Sequence, residues 1–272
     1  MKLPSEIIGR SLEFPAIPRR IISLNAAFTE ALLRMGFRDS LVGVSAYCSR
    51  YADCSEIPVA GDYLQINRDV LNALQPDLIL MTGGIQLRPA RLLASEGYPV
   101  HVISLPSSVG AICDSYVQLA ALCGDAGAGR DLADSVYRTL YRLRDQWQGH
   151  HPRCYTEIWF GRHPRMIGGV SFIHDILWFA GLDPVFGREP WPYHELDLHM
   201  AAGEKPEVFL GFSEPEYPVN FVQLSQERGW MADFSPTVIV SDITAGRNII
   251  HDGPSLVQTA SWLQEMVRST LH

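Results

Sequence analysis

Residues 20–36 read RIISLNAAFTEALLRMG, and this stretch decides the fold class. The β-branched run before Asn25 is typical of a buried strand, and Asn25 can cap the helix that follows. Gly36 is suited to end that helix in a left-handed conformation. After a loop, residues 74–84, LQPDLILMTGG, supply another strand and a glycine pair. A strand, a helix and a further strand in this order predict a parallel sheet with helical connections.

The same order recurs in the second half of the chain. Residues 154–159 (CYTEIW) predict a strand, residues 168–181 (GGVSFIHDILWFAG) a glycine pair and a helix, and residues 203–210 (GEKPEVFL) the next strand. Between the copies, residues 130–148 carry apolar side chains at helical spacing, so we expect one continuous helix roughly 30 Å long. Two similar α/β lobes predict a ligand-binding cleft between them.

The predicted domain organisation follows from this repeat. It comprises an N-terminal extension over residues 1–17, an N-terminal lobe over 18–124, a bridging helix over 125–149 and a C-terminal lobe over 150–272. The glycine cluster of residues 124–129 does not follow a strand and lacks the Lys-Ser/Thr ending of a phosphate loop, so we expect no nucleotide site there.

Composition favours a small-molecule partner. The 272 residues are 47% hydrophobic and 19% charged, which is typical of a globular protein long enough for two domains. The net charge is −8, and no basic run is longer than Arg19-Arg20, which argues against nucleic-acid binding. No window approaches eighteen apolar residues, so we expect a protein that is not embedded in a membrane.

Location and redox state are less constrained by the sequence. The first twenty residues contain charges and prolines rather than the apolar segment of a leader. As written, this predicts a cytoplasmic protein; a periplasmic or other extracytoplasmic location stays open if a leader is removed. The five cysteines lack C-x-x-C spacing, which indicates reduced thiols, although Cys48 and Cys54 share one loop and could pair in an oxidising compartment.

Four segments carry a resemblance to a known family. They are residues 18–36 (PRRIISLNAAFTEALLRMG), 41–48 (LVGVSAYC), 59–84 (VAGDYLQINRDVLNALQPDLILMTGG) and 168–192 (GGVSFIHDILWFAGLDPVFGREPWP). The chain resembles the periplasmic cobalamin-binding receptors of ABC importers, within the helical-backbone, class III substrate-binding proteins for cobalamin, haem, iron–siderophores and metals. The resemblance implies two Rossmann-like lobes with mostly parallel sheets joined by one rigid backbone helix. It also implies a monomer that binds its ligand without catalysis and has no cofactor of its own.

The resemblance also implies which residues bind the ligand. Tyr47 and Tyr63 match positions that place aromatic rings against the corrin ring, and Phe160 and Trp191 match such positions in the other lobe. A wide, flat macrocycle with apolar edges is suited to aromatic faces and a few polar groups.

Polar contacts are expected from two further places. The backbone N–H groups of Thr82, Gly83 and Gly84 are one source, and the turn that contains His251 and Asp252 is the other.

Docking to an ABC permease normally uses one acidic residue from each lobe of such a receptor, because opposed charges steer and register two surfaces. The matching positions are Asp69 and His199, so half of the charge pattern is absent. Glu195 and Glu204 are close enough in sequence to substitute for the missing acid.

A haem or iron–siderophore receptor of the same superfamily stays open as an alternative to the corrinoid receptor, and three other functions stay open as well. A metal-ion receptor needs about three His and a carboxylate, yet no pair of the nine His has H-x-x-x-H spacing; a single ligand such as His163 or His251 to a macrocycle's metal is a separate alternative. An enzyme is disfavoured because no nucleophile elbow, Walker motif or H-E-x-x-H occurs, and His174 and Asp175 are expected to point apart on a helix. The third alternative is an intracellular corrinoid or tetrapyrrole carrier or sensor without a permease.

Overall fold

The computed structural model describes residues 2–5, 7–13 and 15–271. Contacts divide the chain into two compact units: the first comprises Met1–Pro106 and Gly110–Ser135, and the second comprises Ser107–Val109 and Val136–His272. Parts of the predicted 1–17 extension and 150–272 lobe lie outside the described residues, namely Met1, Glu6, Phe14 and His272.

The first unit begins with an antiparallel hairpin of β1 (Lys2–Ser5) and β2 (Arg10–Glu13). Ile7 and Ile8, between the two strands, pack against the core of this unit. Arg91 donates a hydrogen bond to the Ile7 carbonyl at 3.3 Å. The described part of the predicted extension is therefore packed onto the first unit.

The central sheet of the first unit has five strands, all parallel, in the order β5-β4-β3-β6-β7. The strands are β3 (Ile21–Ser23), β4 (Leu41–Ser45), β5 (Val59–Gly61), β6 (Leu78–Thr82) and β7 (Val100–Ile103). The helices are α1 (Ala26–Arg34), α2 (Arg68–Leu74), α3 (Leu87–Ser95) and α4 (Val109–Leu122). The Rossmann-like arrangement is confirmed, and β5 is a strand that the sequence reading missed.

The ends of α1 are as the sequence predicts. The Asn25 side chain accepts a hydrogen bond from the Phe28 N–H at 3.0 Å. Gly36 has φ +85°, and the Phe37 N–H returns to the Leu32 carbonyl at 2.9 Å. These contacts satisfy backbone groups that the helix ends leave without a helical partner.

The long helix α5 spans Ala126–Gln146, 21 residues, and so begins earlier than the apolar pattern indicated. The glycine cluster explains the difference. Gly124 ends α4 with φ +89°, whereas Gly129 lies inside α5, where a Cβ would be 2.6 Å from the Tyr116 carbonyl oxygen. The cluster therefore serves a helix end and a close helix contact.

The second sheet is mixed, in the order β11-β9-β8-β12-β13, with β10 pairing with β8. Its strands are β8 (Arg153–Phe160), β9 (His163–Ile167), β10 (Asp183–Pro184), β11 (Tyr193–Glu195), β12 (Val208–Ser213) and β13 (Thr237–Ser241). The helices of this unit are α6 (Phe172–Phe179), α7 (Leu198–Gly203), α8 (Phe221–Glu227), α9 (Trp230–Asp233) and α10 (Leu256–Leu271). Strands β8, β10, β12 and β13 are parallel, while β9 is antiparallel to both β8 and β11.

The antiparallel return was not expected from the repeat. Only Gly161 and Arg162 separate β8 from β9, and Gly161 has φ +57°. Antiparallel strands need only a two-residue connection, whereas a parallel pair needs a long crossover. The second copy of the plan therefore contains a hairpin that the first copy lacks.

No helix within the described ranges is long and apolar enough to span a membrane.

Candidate functional site

In the first unit, two aromatic side chains named from the sequence lie together. Tyr47 follows β4, and Tyr63 follows the neighbouring strand β5. Their ring centroids are 5.1 Å apart, with 30° between the ring planes, and both side chains are half-buried. Carboxyl ends of parallel strands meet at one edge of a sheet, which is where ligands bind in open α/β folds.

The loop that carries Tyr63 is held by the Asp62 side chain and by a close backbone approach at Gly61. Asp62 Oδ1 accepts hydrogen bonds from the N–H groups of Leu64 at 2.7 Å and Gln65 at 2.6 Å. Gly61 has φ +143°, and a Cβ there would lie 2.3 Å from the Gln65 carbonyl oxygen. A glycine is therefore required before the Asp-Tyr pair.

The side chain of Gln86 links the strand ends and the Tyr63 loop at this edge of the sheet. This residue was not predicted from the sequence. Its side chain is fully buried, and Nε2 donates to the carbonyls of Leu24 at 2.9 Å and Tyr63 at 3.3 Å. Its Oε1 accepts the Thr82 N–H at 2.9 Å. One amide thus joins the ends of β3 and β6 to the Tyr63 loop. The only sequence signal was a polar residue two positions after the glycine pair.

The expected N–H donors need a correction. The Thr82 N–H is bonded to Gln86, and the Gly83 N–H is bonded to the Ile103 carbonyl at 2.8 Å. Because these groups complete the sheet edge, they are not free to bind a ligand amide in this structure. Gly84 is the remaining candidate of the three.

Three exposed apolar side chains follow strands that end at the same edge of the sheet as the tyrosine pair. Leu64, Ile85 and Leu105 follow β5, β6 and β7, and they are 55%, 64% and 55% exposed. Gly84 leaves room for Leu105, since a Cβ at Gly84 would lie 2.4 Å from Leu105 Cδ1. We call Tyr47, Tyr63, Leu64, Ile85 and Leu105 the first-unit platform. Apolar side chains grouped in this way mark a binding surface.

In the second unit, Phe160 ends β8 and is 39% exposed. The exposed Tyr217 ring lies beside the turn that follows Phe160. Its nearest atoms are 3.7 Å from the position that a Cβ at Gly161 would occupy. Glu214 accepts the Gly161 N–H at 2.7 Å, which fixes this turn. Tyr217 is an exposed aromatic residue that was not among the predicted site residues.

Trp191 packs inward. Its ring lies 5.7 Å from Phe186 and 5.0 Å from His194, and it adjoins the buried aromatic cluster of the second unit. A Cβ at Gly168 would come within 2.4 Å of the Trp191 ring. The second glycine pair therefore accommodates this tryptophan.

The segment that carries Trp191 and the strand end at Phe160 lie towards opposite ends of β9. Tyr193 pairs with Ile167, whereas Phe160 pairs with His163 at the other end of β9. At about 3.3 Å per residue, the two pairs are roughly 13 Å apart along the strand.

Polar groups gather beside Trp191 instead. The Tyr193 hydroxyl forms a hydrogen bond with Ser171, and desolvation together with the nearby Asp252 charge raises the pKa of Tyr193. His251 is buried, and its N–H donates to the Asn248 carbonyl at 3.2 Å. Asp252 thus lies in a polar cluster, while His251 lies largely inside the unit.

The two predicted docking positions are structurally equivalent. Asp69 is the second residue after the cap Asn67 of α2, and His199 is the second residue after the cap Asp197 of α7. Both side chains are exposed. Of the substitute acids, Glu195 is exposed, whereas Glu204 forms an ion pair with Arg153.

Reactive and metal-binding groups are sparse in what the structure describes. Among those residues, no group of three or more His, Cys, Asp or Glu could hold a metal ion. The five cysteines are unpaired with one another, and burial raises the pKa of Cys54 to about 11 and of Cys113 to about 12. The expectation for His174 and Asp175 was wrong: their Nδ1 and Oδ1 lie 3.2 Å apart, because rotation about the side-chain bonds closes the angle between adjacent helical positions.

Known proteins with this fold bind different ligands. The vitamin B12-binding protein of Yersinia pestis (strain Pestoides F) is 26% identical over 238 residues, 82% of this chain and 83% of the relative. A periplasmic haem-binding protein of Roseiflexus sp. RS-1 has a TM-score of 0.74 at 19% identity, covering 93% of this chain and 99% of its own. The periplasmic vitamin B12-binding protein of Vibrio cholerae has a TM-score of 0.69 at 20% identity, and the match covers 94% of this chain and 98% of that protein.

The two-unit α/β fold with one long helix is also the fold of these two solved binding proteins. The chain belongs to the periplasmic binding protein family, whose pattern matches residues 21–234. The two solved structures establish the fold alone.

Proposed function

We propose that this protein binds a large, flat, metal-centred macrocycle reversibly and without chemical change, and that the macrocycle is a corrinoid of the cobalamin type. The observation that carries this proposal is the first-unit platform, where two tyrosines and three exposed apolar side chains share one sheet edge in a member of this family. Aromatic and aliphatic surfaces of this kind suit the apolar faces of a macrocycle.

The choice of a corrinoid is supported by the 26% identical relative, which is a vitamin B12-binding protein. Haem, an iron–siderophore and a metal ion stay as alternatives within the same class of receptor. The haem alternative is compatible with the same platform, since a porphyrin also has flat apolar faces.

The physiological role that fits this family is the substrate-binding component of an ABC importer. Family membership supports the extracytoplasmic alternative and gives no support to the cytoplasmic expectation. Asp69 is the docking acid we assign to the first unit, where it is exposed on α2. In the second unit Glu195 suits this task better than Glu204, whose charge is engaged by Arg153.

Tyr63→Ala tests the platform directly. We expect the variant to bind the corrinoid at least about 10-fold more weakly, because aromatic anchors in a binding surface typically contribute more than 1 kcal/mol. Isothermal titration with cyanocobalamin measures the change. Tyr141→Ala is the matched control, since Tyr141 is an equally polar, exposed ring on α5. Equal affinities of Tyr63→Ala and the wild type would refute a role for the platform.

A further inference from the structure

We infer that Arg50 selects ligands that carry an anionic oxygen group, a carboxylate or a phosphate, at the rim of the macrocycle. This inference rests on the proposed function and adds a charge requirement to it. Arg50 ends the short 3₁₀ turn Cys48–Arg50, which follows β4 at the edge that carries the first-unit platform.

The turn fixes where the arginine stands. The Cys48 side chain is buried, with Sγ 3.1 Å from Thr29 Oγ1 and 3.2 Å from Ser45 Oγ. The Arg50 N–H donates to the Tyr47 carbonyl at 3.2 Å. Because the buried Cys48 side chain and this backbone hydrogen bond fix the turn, Arg50 is held next to Tyr47.

The guanidinium lies beside the aromatic pair. Arg50 Cζ is 4.7 Å from the centroid of the Tyr47 ring, within the range of a cation–π contact, and the residue is exposed. Tyr47 in turn lies 5.1 Å from Tyr63. The platform therefore has a permanent positive charge at its margin, since arginine stays protonated throughout the physiological range.

The neighbouring acids are engaged elsewhere. In the segment between β4 and α2, Asp53 bonds to Ser55, Glu56 pairs with Arg38 at 3.3 Å, and Asp62 caps its own turn. No carboxylate of the described chain lies within ion-pair distance of Arg50. An exposed arginine beside an apolar surface, without an internal counter-ion, suits a ligand that brings its own anion.

Two classes of macrocycle supply such a group. A haem carries two carboxylates on its rim, and a complete cobalamin carries a phosphodiester in its nucleotide loop. The shared chemistry is an anionic oxygen acceptor for the guanidinium fork. The uncharged counterparts are haemin dimethyl ester, in which both carboxylates are esterified, and dicyanocobinamide, which lacks the nucleotide loop.

The test compares these matched ligands on four proteins: wild type, Arg50→Gln, Arg50→Lys and Arg19→Gln. Arg19 is the control because it is exposed and precedes β3, so the same charge is removed at the opposite edge of the same sheet. Each protein is titrated with haemin, haemin dimethyl ester, cyanocobalamin and dicyanocobinamide, at low and at high salt.

We expect Arg50→Gln to weaken binding of the anionic member of one pair about 10-fold or more, as loss of a charge-assisted hydrogen bond should. The affinity of Arg50→Gln for the uncharged member should differ from that of the wild type by less than about twofold. Arg50→Lys should retain part of the affinity for the anionic member. The pair that responds identifies the source: haemin indicates the carboxylate, and cyanocobalamin indicates the phosphate. Arg19→Gln should bind like the wild type.

Two results would overturn the inference in distinguishable ways. If the wild type binds a macrocycle but Arg50→Gln affects both members of its pair equally, or neither, the proposed function stands and the role of Arg50 is wrong. If the wild type binds none of the four ligands, the proposed function itself fails and the charge requirement fails with it.

Discussion

At the scale of single residues, Glu157 shows how the second unit accommodates a charge in its core. Its carboxylate is fully buried and accepts four hydrogen bonds: from the Tyr155 hydroxyl at 2.7 Å, Trp159 Nε1 at 2.7 Å, and Arg228 Nη1 and Nη2 at 2.8 and 3.0 Å. Burial, reinforced by this carboxylate, raises the pKa of Tyr155 well above its ordinary value. A buried charge is tolerated when its partners are complete, and removing one of them is costly.

Arg228→Met should therefore lower the free energy of unfolding by about 3–5 kcal/mol, because it leaves Glu157 charged and buried without its counter-ion. Urea unfolding followed by fluorescence measures this. Arg68→Met is the control, since the Arg68–Glu96 pair is partly exposed and worth less than about 1 kcal/mol. Similar losses in the two variants would contradict the account.

We expect His101 to make the folded protein less stable as the pH falls below about 6.5. Desolvation on β7 lowers its pKa below the ordinary 6.5, and its Nδ1 has no hydrogen-bond partner among the described residues. Below pH 6.5 the unfolded state therefore binds more protons at this position than the folded state does. Stability should fall as the pH drops from about 6.5 towards the lowered folded-state pKa.

Melting temperatures from pH 8 to pH 5 check this expectation. His101→Gln should lose less stability over the range than the wild type, whereas His163→Gln, at an exposed site, should follow the wild type. Parallel curves for wild type and His101→Gln would show that the pH dependence arises elsewhere.

At the scale of elements, the sequence predicted helices and parallel strands best where local chemistry marked their ends. Asn25 and Gly36 act on α1 as their residue types indicate. Strand β9 was missed because HPRMI has neither a clean alternation nor a long apolar run. The predicted bridging helix of residues 125–149 includes all of α5, but its apolar pattern began only at Arg130, because glycines usually argue against a helix, whereas Gly129 is needed for close packing on α4.

Gly129→Ala should destabilise the protein by about 1–3 kcal/mol, although alanine favours helices, because its Cβ would come within 2.7 Å of Val117 Cα. Gly127→Ala is the matched control in the same helix: its Cβ would meet only the Asp125 side chain at 3.0 Å. We expect the control to be neutral or stabilising by up to about 1 kcal/mol. Denaturant midpoints measure both, and equal effects would show that α4–α5 packing is looser than described.

At the scale of the whole molecule, the repeated plan correctly predicted two α/β units and one long helix. The site was predicted less completely, since Tyr47 and Tyr63 were named from the resemblance but Gln86, Leu64, Ile85 and Leu105 were not. Their role depends on which strand ends lie side by side, in the order β5-β4-β3-β6-β7, and strand order is not written in local sequence. For the same reason Trp191 could not be recognised as a residue that packs against Gly168.

The central claim is that this family member binds a metal-centred macrocycle. The measurement that tests it most directly is calorimetric titration of the purified wild type with cyanocobalamin, dicyanocobinamide, haem, a ferric siderophore and zinc. The account predicts that a corrinoid binds with a submicromolar Kd, which corresponds to a binding free energy below about −8 kcal/mol, and that the ligand is recovered unchanged. No detectable binding of any of the five ligands, or tight binding of zinc alone, would contradict it.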